Sequence, residues 1–244
     1  MKVIILAGGF GTRLGNQPKL RPKPMVQIGK EPIIIHIMNI YRKFNFKEFI
    51  IAGGYKYKIV RDYFKKKKFK GLKITVINTG LRSMTGGRIF KLKKYIKEKQ
   101  FMLTYGDGLA NVNINRLISF HNKNGKIATI SIVRPPARWG YVKLKSNLVS
   151  KFEEKNQLNE GWINGGFFVM EKKIFNIFEK FSYKKDIILE TDILPLLSKK
   201  KELSAFKHMG FWQCMDTPRD KIFLKNLVKN KKTPWMNFKN EKKI

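Results

Sequence analysis

The chain has 244 residues, of which 43% are hydrophobic and 28% charged, so it can bury a substantial core without a metal or disulfide staple. Its formal charge of +35 arises from 52 Lys and Arg against 17 Asp and Glu, but only ten of the 52 are Arg and the lysines are scattered along the chain. That pattern lacks the Arg-rich stripe of a specific nucleic-acid reader, and Lys-rich runs such as residues 65–68 and 199–201 read as solvated faces, leaving open only a nonspecific, salt-sensitive affinity for polyanions.

In chain order, Val3 to Ala7 is a short apolar run with strand character, followed at once by a glycine-rich turn. Pro32 stands where a first helical turn would start, and Ile33, His36, Ile37 and Ile40 mark one helical face, which makes His36 a core or interface residue. Phe49 to Ala52, Lys73 to Ile77, Phe101 to Tyr105 and Ile127 to Val133 are further β-rich runs separated by helix-length amphipathic segments, the pattern of a parallel α/β sheet. The second half changes character. Tyr141 to Leu144, Leu148 to Phe152, Ile163 to Met170 and Leu203 to Phe206 predict shorter strands, some antiparallel, with helices after Glu171 and near Glu190. One domain over residues 1–235 and a polar, frayed tail over 236–244 follow from this. A lone cysteine, Cys214, no positive-then-apolar leader and no apolar run of membrane-spanning length predict a cytoplasmic protein with no membrane contact.

The chemistry is concentrated at strand ends. Leu6-Ala7-Gly8-Gly9-Phe10-Gly11-Thr12-Arg13-Leu14, with Lys23-Pro24-Met25 downstream, reads as a triphosphate grip: glycines leave backbone N–H groups free to approach phosphate, and Arg13 and Lys23 supply positive charge. A P-loop would need Gly-Lys-Ser/Thr, and a dinucleotide fingerprint a further glycine; neither is present. Gly106-Asp107-Gly108 follows the fourth of the β-rich runs named above, and Asp216 follows another apolar stretch ending at Met215. An Asp between two glycines is often a turn former, but two carboxylates from distant strand ends suit Mg²⁺ held jointly with phosphate oxygens.

The opening glycine segment with Lys23-Pro24-Met25 resembles the sugar-phosphate nucleotidyltransferases, which make nucleotide sugars from a sugar 1-phosphate and a nucleoside triphosphate. Five further segments are similar to one branch of that family, the glucose-1-phosphate cytidylyltransferases: Ser83-Met84-Thr85-Gly86-Gly87-Arg88, Thr104 to Gly108, Pro135-Pro136-Ala137-Arg138, Trp162 to Phe168 and Gly210 to Thr217. The resemblance runs from Met1 to about Trp235. It implies an α/β, Rossmann-like nucleotide-diphospho-sugar transferase fold, with a mostly parallel mixed sheet between helices and a smaller, β-rich sugar-binding part. Residues 1–133 would mainly bind nucleotide and 134–235 sugar phosphate.

The same resemblance implies site roles. Arg13, Lys23, Asp107 and Asp216 would be catalytic, with Asp107 and Asp216 holding Mg²⁺. The nucleotide would lie against Leu6, Ala7, Gly8, Gly9, Gly11, Thr12 and Gly106, with Ser83 and Arg88 reading the O2 and N3 acceptors of cytosine. Tyr141, Glu154, Lys155, Asn164, Gly165 and Trp212 would meet the sugar phosphate. The implied reaction joins CTP and glucose 1-phosphate into CDP-glucose and pyrophosphate, in a homo-oligomer. The sequence departs from the family pattern at Asn156, where Glu-Lys-Pro is usual, at Gly15 to Lys19, and in the short connection from Phe64 to Thr79. A different nucleotide (UTP, dTTP or GTP), a different sugar, or a non-catalytic polyanion binder stay open as alternatives.

Overall fold

β1 (Val3–Ala7) is apolar and buried at every position, which a strand tolerates only where both faces of its sheet are covered. The protein is described here from a computed structural model over residues 1–14, 21–135, 141–153, 161–184 and 186–238. A short hairpin of β2 (Gln27–Ile28) and β3 (Glu31–Pro32) precedes α1 (Ile33–Arg42). Pro32 lies just ahead of the helix, at φ −68° and ψ 153°, one residue before the first turn. His36 Nε2 donates to the Ile28 carbonyl at 2.9 Å and stands edge-on to Trp235, a packed position as its helical face predicts.

Then come β4 (Glu48–Gly53), α2 (Tyr57–Lys66), β5 (Lys73–Asn78), α3 (Thr85–Lys91) and β6 (Gln100–Tyr105). Each strand agrees with its apolar run to within a residue or two. β6 is the sixth strand rather than the fourth because the β2–β3 hairpin is too short and too mixed to leave a periodic signal. β7 (Gly108–Ala110), α4 (Ile114–Asn124) and β8 (Ala128–Val133) follow. A separate ribbon pairs β9 (Tyr141–Lys145) with β10 (Leu148–Glu153). The chain returns to the sheet as β11 (Ile163–Glu171), then runs through α5 (Phe175–Glu179), a π-helical turn at Leu189–Ile193, α6 (Leu194–Lys199), β12 (Leu203–His208), β13 (Trp212–Cys214) and α7 (Pro218–Lys229).

Among the described residues the main sheet has seven strands in the order β12-β8-β11-β6-β1-β4-β5. β1 pairs in parallel with β4 and β6, β4 with β5 and β12 with β8, whereas β11 runs antiparallel to both its neighbours. Side chains alternate across it. Val3, Ile5 and Ala7 join α1, α4 and α7 residues in one core, and Ile4 and Leu6 join α3, α5 and α6 residues in the other. The chain builds outward from β1 to β4 and β5, then crosses back to lay β6 on the other side of β1. That reversal opens a crevice at the carboxyl ends of β1 and β6, the location open α/β sheets use for ligands. Among the described residues no helix is long and apolar enough to cross a membrane.

Candidate active site

The crevice is built on three chain segments drawn together by close backbone contact. β1 ends one residue before Gly8, β6 ends one residue before Gly106, and the 3₁₀ turn Lys23–Met25 packs over both. A Cβ on Gly106 would lie 2.5 Å from the Leu6 carbonyl oxygen and 3.0 Å from Pro24, so only glycine lets β6 run out against β1 and the Lys23 turn. Asp107 is delivered there by the next peptide bond.

Asp216 arrives from the far end of the chain. β13 pairs antiparallel with β7, Cys214 opposite Gly108, and the Met215 N–H donates to the Asp107 carbonyl at 2.9 Å. An antiparallel ribbon places the residue before one strand beside the residue after the other, so Met215 lies opposite Asp107 and Asp216, one residue on, reaches the same Lys23 ammonium. Lys23 Nζ lies 2.6 Å from Asp107 Oδ2 and 2.5 Å from Asp216 Oδ1. The ammonium is only 13% exposed, against 27% and 25% for the two carboxylates. Burial works against the Lys23 charge, but the Asp107 charge and the hydrogen bonds to Asp107 and Asp216 outweigh it and hold the pKa above the usual lysine value.

Sequence reasoning missed what fixes Asp216. α7 begins with a capping box: Thr217 accepts from the Asp220 N–H, and Asp220 Oδ2 accepts from the N–H groups of Asp216 and Thr217 at 3.1 and 2.8 Å. Gln213 also donates to Asp220 Oδ1 at 3.1 Å. The signal was present in Thr217-Pro218-Arg219-Asp220, an N-cap threonine, a proline at the first helical position and an acid at the third.

The glycine turn leaves β1 with Gly8 buried and Gly9 and Thr12 exposed, Gly11 at φ +68°, and a 3₁₀ turn over Thr12–Leu14 that returns Leu14 to the core. Leu6 and Ala7 are buried strand residues beneath it. The Arg13 side chain lies outside what is described. Arg88 holds the turn from below. It is 4% exposed, and its guanidinium runs between Gly8 and Gly54, where a Cβ on either glycine would lie 2.2 Å away. Its terminal nitrogens donate to Gly8 O, Gly80 O and Thr79 Oγ1, each at 2.8 Å, and to Gly53 O and Leu81 O at 3.3 and 3.4 Å. Burial lowers its pKa, with Asp186 opposing. Ser83 Oγ donates to Thr79 O and accepts from Lys91, each at 2.6 Å. Reading cytosine O2 and N3 requires donors, and the Ser83 proton and the Arg88 terminal N–H groups are directed at these protein acceptors. Arg88 lies against the turn and shapes it, whereas Ser83 braces the segment at Thr79 and Gly80 that Arg88 also holds.

On the other side of β6, the first residues of antiparallel β11 reach the same rim. The pairing of β11 with β8 shifts register between Asn164 and Phe168, and Gly166 in this bulge takes φ +80°. Asn164 Nδ2 donates to the Tyr105 hydroxyl at 2.9 Å, its Oδ1 accepts from Gly166 N at 2.8 Å, and Trp212 Nε1 donates to the Gly165 carbonyl at 2.8 Å. Asn164, Gly165 and Trp212 therefore cluster as a group next to the Asp107 loop. Tyr141 opens β9, with its side chain outside what is described, and Glu154, Lys155 and Arg138 lie outside the described residues.

Two carboxylates with nothing but hard oxygen donors fit a divalent ion that completes its shell from phosphate and water. Among the described residues no group of three or more His, Cys, Asp and Glu comes together as a self-sufficient metal site.

Comparison with known proteins identifies the family and the fold. The profile of the family described as nucleotidyl transferase matches residues 2–222. The chain is 38% identical to the glucose-1-phosphate cytidylyltransferase of Salmonella typhimurium, covering 96% of this chain and 98% of that one. It is 34% identical to the probable glucose-1-phosphate cytidylyltransferase of Bacillus subtilis, covering 96% and 99%. Among solved structures, HddC from Yersinia pseudotuberculosis superimposes with a TM-score of 0.72 at 26% identity, over 93% of this chain and 99% of that one.

Proposed function

From the premise that this chain belongs to the nucleotidyl transferase family, we propose that it joins CTP and glucose 1-phosphate to give CDP-glucose and pyrophosphate. The observation that carries the proposal is the convergence of Lys23, Asp107 and Asp216 at the crevice between β1 and β6. The names of the relatives at 38% and 34% identity supply the nucleotide and sugar.

A phosphate oxygen of the sugar 1-phosphate attacks the α-phosphorus of the triphosphate in line, and pyrophosphate leaves. No protein nucleophile takes part, so positioning and charge neutralisation carry the catalysis. The triphosphate lies along the N–H groups of the Gly8 to Thr12 turn, with Leu6, Ala7 and Gly106 forming the floor. Arg13 holds the β and γ phosphates. Lys23 shifts from the aspartates to the α-phosphate as charge builds there, and exchanging carboxylate partners for phosphate oxygens keeps an anionic neighbour beside its charge. Mg²⁺ held by Asp107 and Asp216 would polarise the same phosphate. Arg88 keeps the turn in shape below the base, with Ser83 bracing the Thr79 segment beside it. Asn164, Gly165, Trp212 and Tyr141 receive the sugar, with Glu154 and Lys155 at its hydroxyls and phosphate.

In this reading residues 1–133 mainly serve the nucleotide and 134–235 the sugar phosphate, in a cytoplasmic enzyme of nucleotide-sugar biosynthesis. The apolar side chains that the β9–β10 ribbon exposes, Leu148 at 77% among them, offer a surface for the homo-oligomer. The test is a matrix of CTP, UTP, dTTP and GTP against several sugar 1-phosphates, read as Mg²⁺-dependent pyrophosphate release. Turnover is expected to be fastest for CTP with glucose 1-phosphate, and a faster pair elsewhere in the matrix would reassign the substrates.

A further inference from the structure

A directed hydrogen-bond chain runs through the sugar side of the site. It starts at Glu190, in the π-helical turn Leu189–Ile193, a local geometry often associated with functional positions. Glu190 Oε1 accepts from the Tyr105 hydroxyl at 2.5 Å, the Tyr105 oxygen accepts from Asn164 Nδ2 at 2.9 Å, and Asn164 Oδ1 accepts from Gly166 N at 2.8 Å. Glu190 Oε2 accepts from Thr85 Oγ1 at 2.5 Å, and Thr85 accepts in turn from Leu189 N at 3.0 Å. The carboxylate thus touches the first residue of α3 with one oxygen and the sugar side with the other.

The polarity of this chain is fixed at both ends. A carboxylate only accepts, so the single Tyr105 proton points at Glu190 and the Tyr105 oxygen must accept from its other neighbour. Burial, followed by the Glu190 charge, holds that proton on the tyrosine. Asn164 must then turn its NH₂ group toward Tyr105. At the opposite end a backbone N–H only donates, so Gly166 demands the Asn164 oxygen. The amide has one orientation, with one N–H and one carbonyl lone pair left over in known directions. That is a donor and acceptor pair suited to one sugar hydroxyl, which can accept and donate at once.

We infer that Glu190 is a positioning residue for the sugar 1-phosphate, setting the orientation of the Asn164 amide through the Tyr105 hydroxyl. This rests on the nucleotidyl-transfer reading above, in which Asn164 faces the sugar. A glutamine at 190 keeps the size and removes the polarity, because its NH₂ can donate to Tyr105 and free the tyrosine proton to compete for Asn164. A phenylalanine at 105 removes the relay itself. In either variant the Gly166 N–H alone still orients the amide, and its NH₂ side loses the fixed acceptor that holds it in place.

The experiment compares wild type, Glu190→Gln, Tyr105→Phe and the double variant, varying glucose 1-phosphate at saturating CTP and then the reverse, with a thermal melt of each protein. Each single variant should raise the KM for glucose 1-phosphate about fivefold, the worth of one imperfect hydrogen bond, and leave the KM for CTP within about twofold. The double variant should be no worse than the poorer single one, because both interrupt the same chain. An unchanged sugar KM in Glu190→Gln, or additive effects in the double variant, would overturn the inference. So would a common rise in both KM values with a lowered melt, which would make Glu190 a clamp on α3 alone. Absence of pyrophosphate release by the wild type with every substrate pair would instead bring down the nucleotidyl-transfer reading.

Discussion

Lys23 carries two roles at one nitrogen. Between Asp107 and Asp216 it neutralises a carboxylate pair that would otherwise repel, and it is the only cation the described residues put in contact with both. Lys23→Ala should lower kcat at least about tenfold with a smaller change in the KM for nucleotide, since the charge it offsets grows in the transition state. Asp107→Ala and Asp216→Ala should lower kcat by a similar factor, and near-normal turnover in any of the three would remove that residue from the mechanism. A different residue governs acid sensitivity. His121 is 1% exposed, with one ring nitrogen 2.7 Å from Thr129 Oγ1 and the other 3.4 Å from Glu171 Oε1. Burial holds its pKa below the usual 6.5; Glu171 pulls it upward less strongly, and Lys173 adds to the lowering. The unfolded chain therefore takes up a proton near 6.5 that the native imidazole resists. Stability is full above that value and declines as pH falls toward the depressed native pKa. The urea midpoint should drop between about pH 7.5 and about pH 5.5, and His121→Gln should lose part of that dependence. His36, also held low by burial, contributes in the same direction.

At the scale of elements, the aspartate at the end of β13 depends on how α7 begins. Thr217→Ala removes the cap and should cost about 1 kcal/mol in urea unfolding. It should also reduce kcat, because the Asp220 carboxylate that the cap engages is the one holding the Asp216 N–H. A stability loss with unchanged kcat would mean that Asp216 is held by β13 alone. These elements differ in how far the sequence announces them. β1, β4, β6 and β8 were legible because strands buried on both faces write themselves as apolar runs, and β5, a half-buried edge strand, was legible from its β-branched residues. The triad of Lys23, Asp107 and Asp216 was legible because each member sits in a short motif, the aspartates at strand ends and Lys23 in a Lys-Pro-Met turn. Arg88 was legible as a motif residue but not in its contacts: its partners at Gly8, Gly53, Gly80 and Leu81 are backbone oxygens, which no side-chain pattern encodes. Glu190 was hidden for a related reason, since it meets Tyr105 across 85 positions of sequence and Thr85 across 105.

For the whole molecule, one strand runs against its neighbours. Were β11 parallel to β6 and β8, Asn164 and Gly165 would begin at the edge of the sheet remote from Asp107, and the two substrate groups would face opposite sides. Reversal turns the start of β11 toward the rim where β1 and β6 end, so that under the proposed function a single mouth admits both reactants. The joined compound, once formed, necessarily spans both halves of that mouth. Added CDP-glucose should therefore raise the apparent KM for CTP and for glucose 1-phosphate alike, and a product that hindered only one of them would indicate two separate doorways. Traffic through a shared opening makes departure of the finished nucleotide sugar a condition for either reactant to enter, and the rate of each cycle answers to how much of it has accumulated outside.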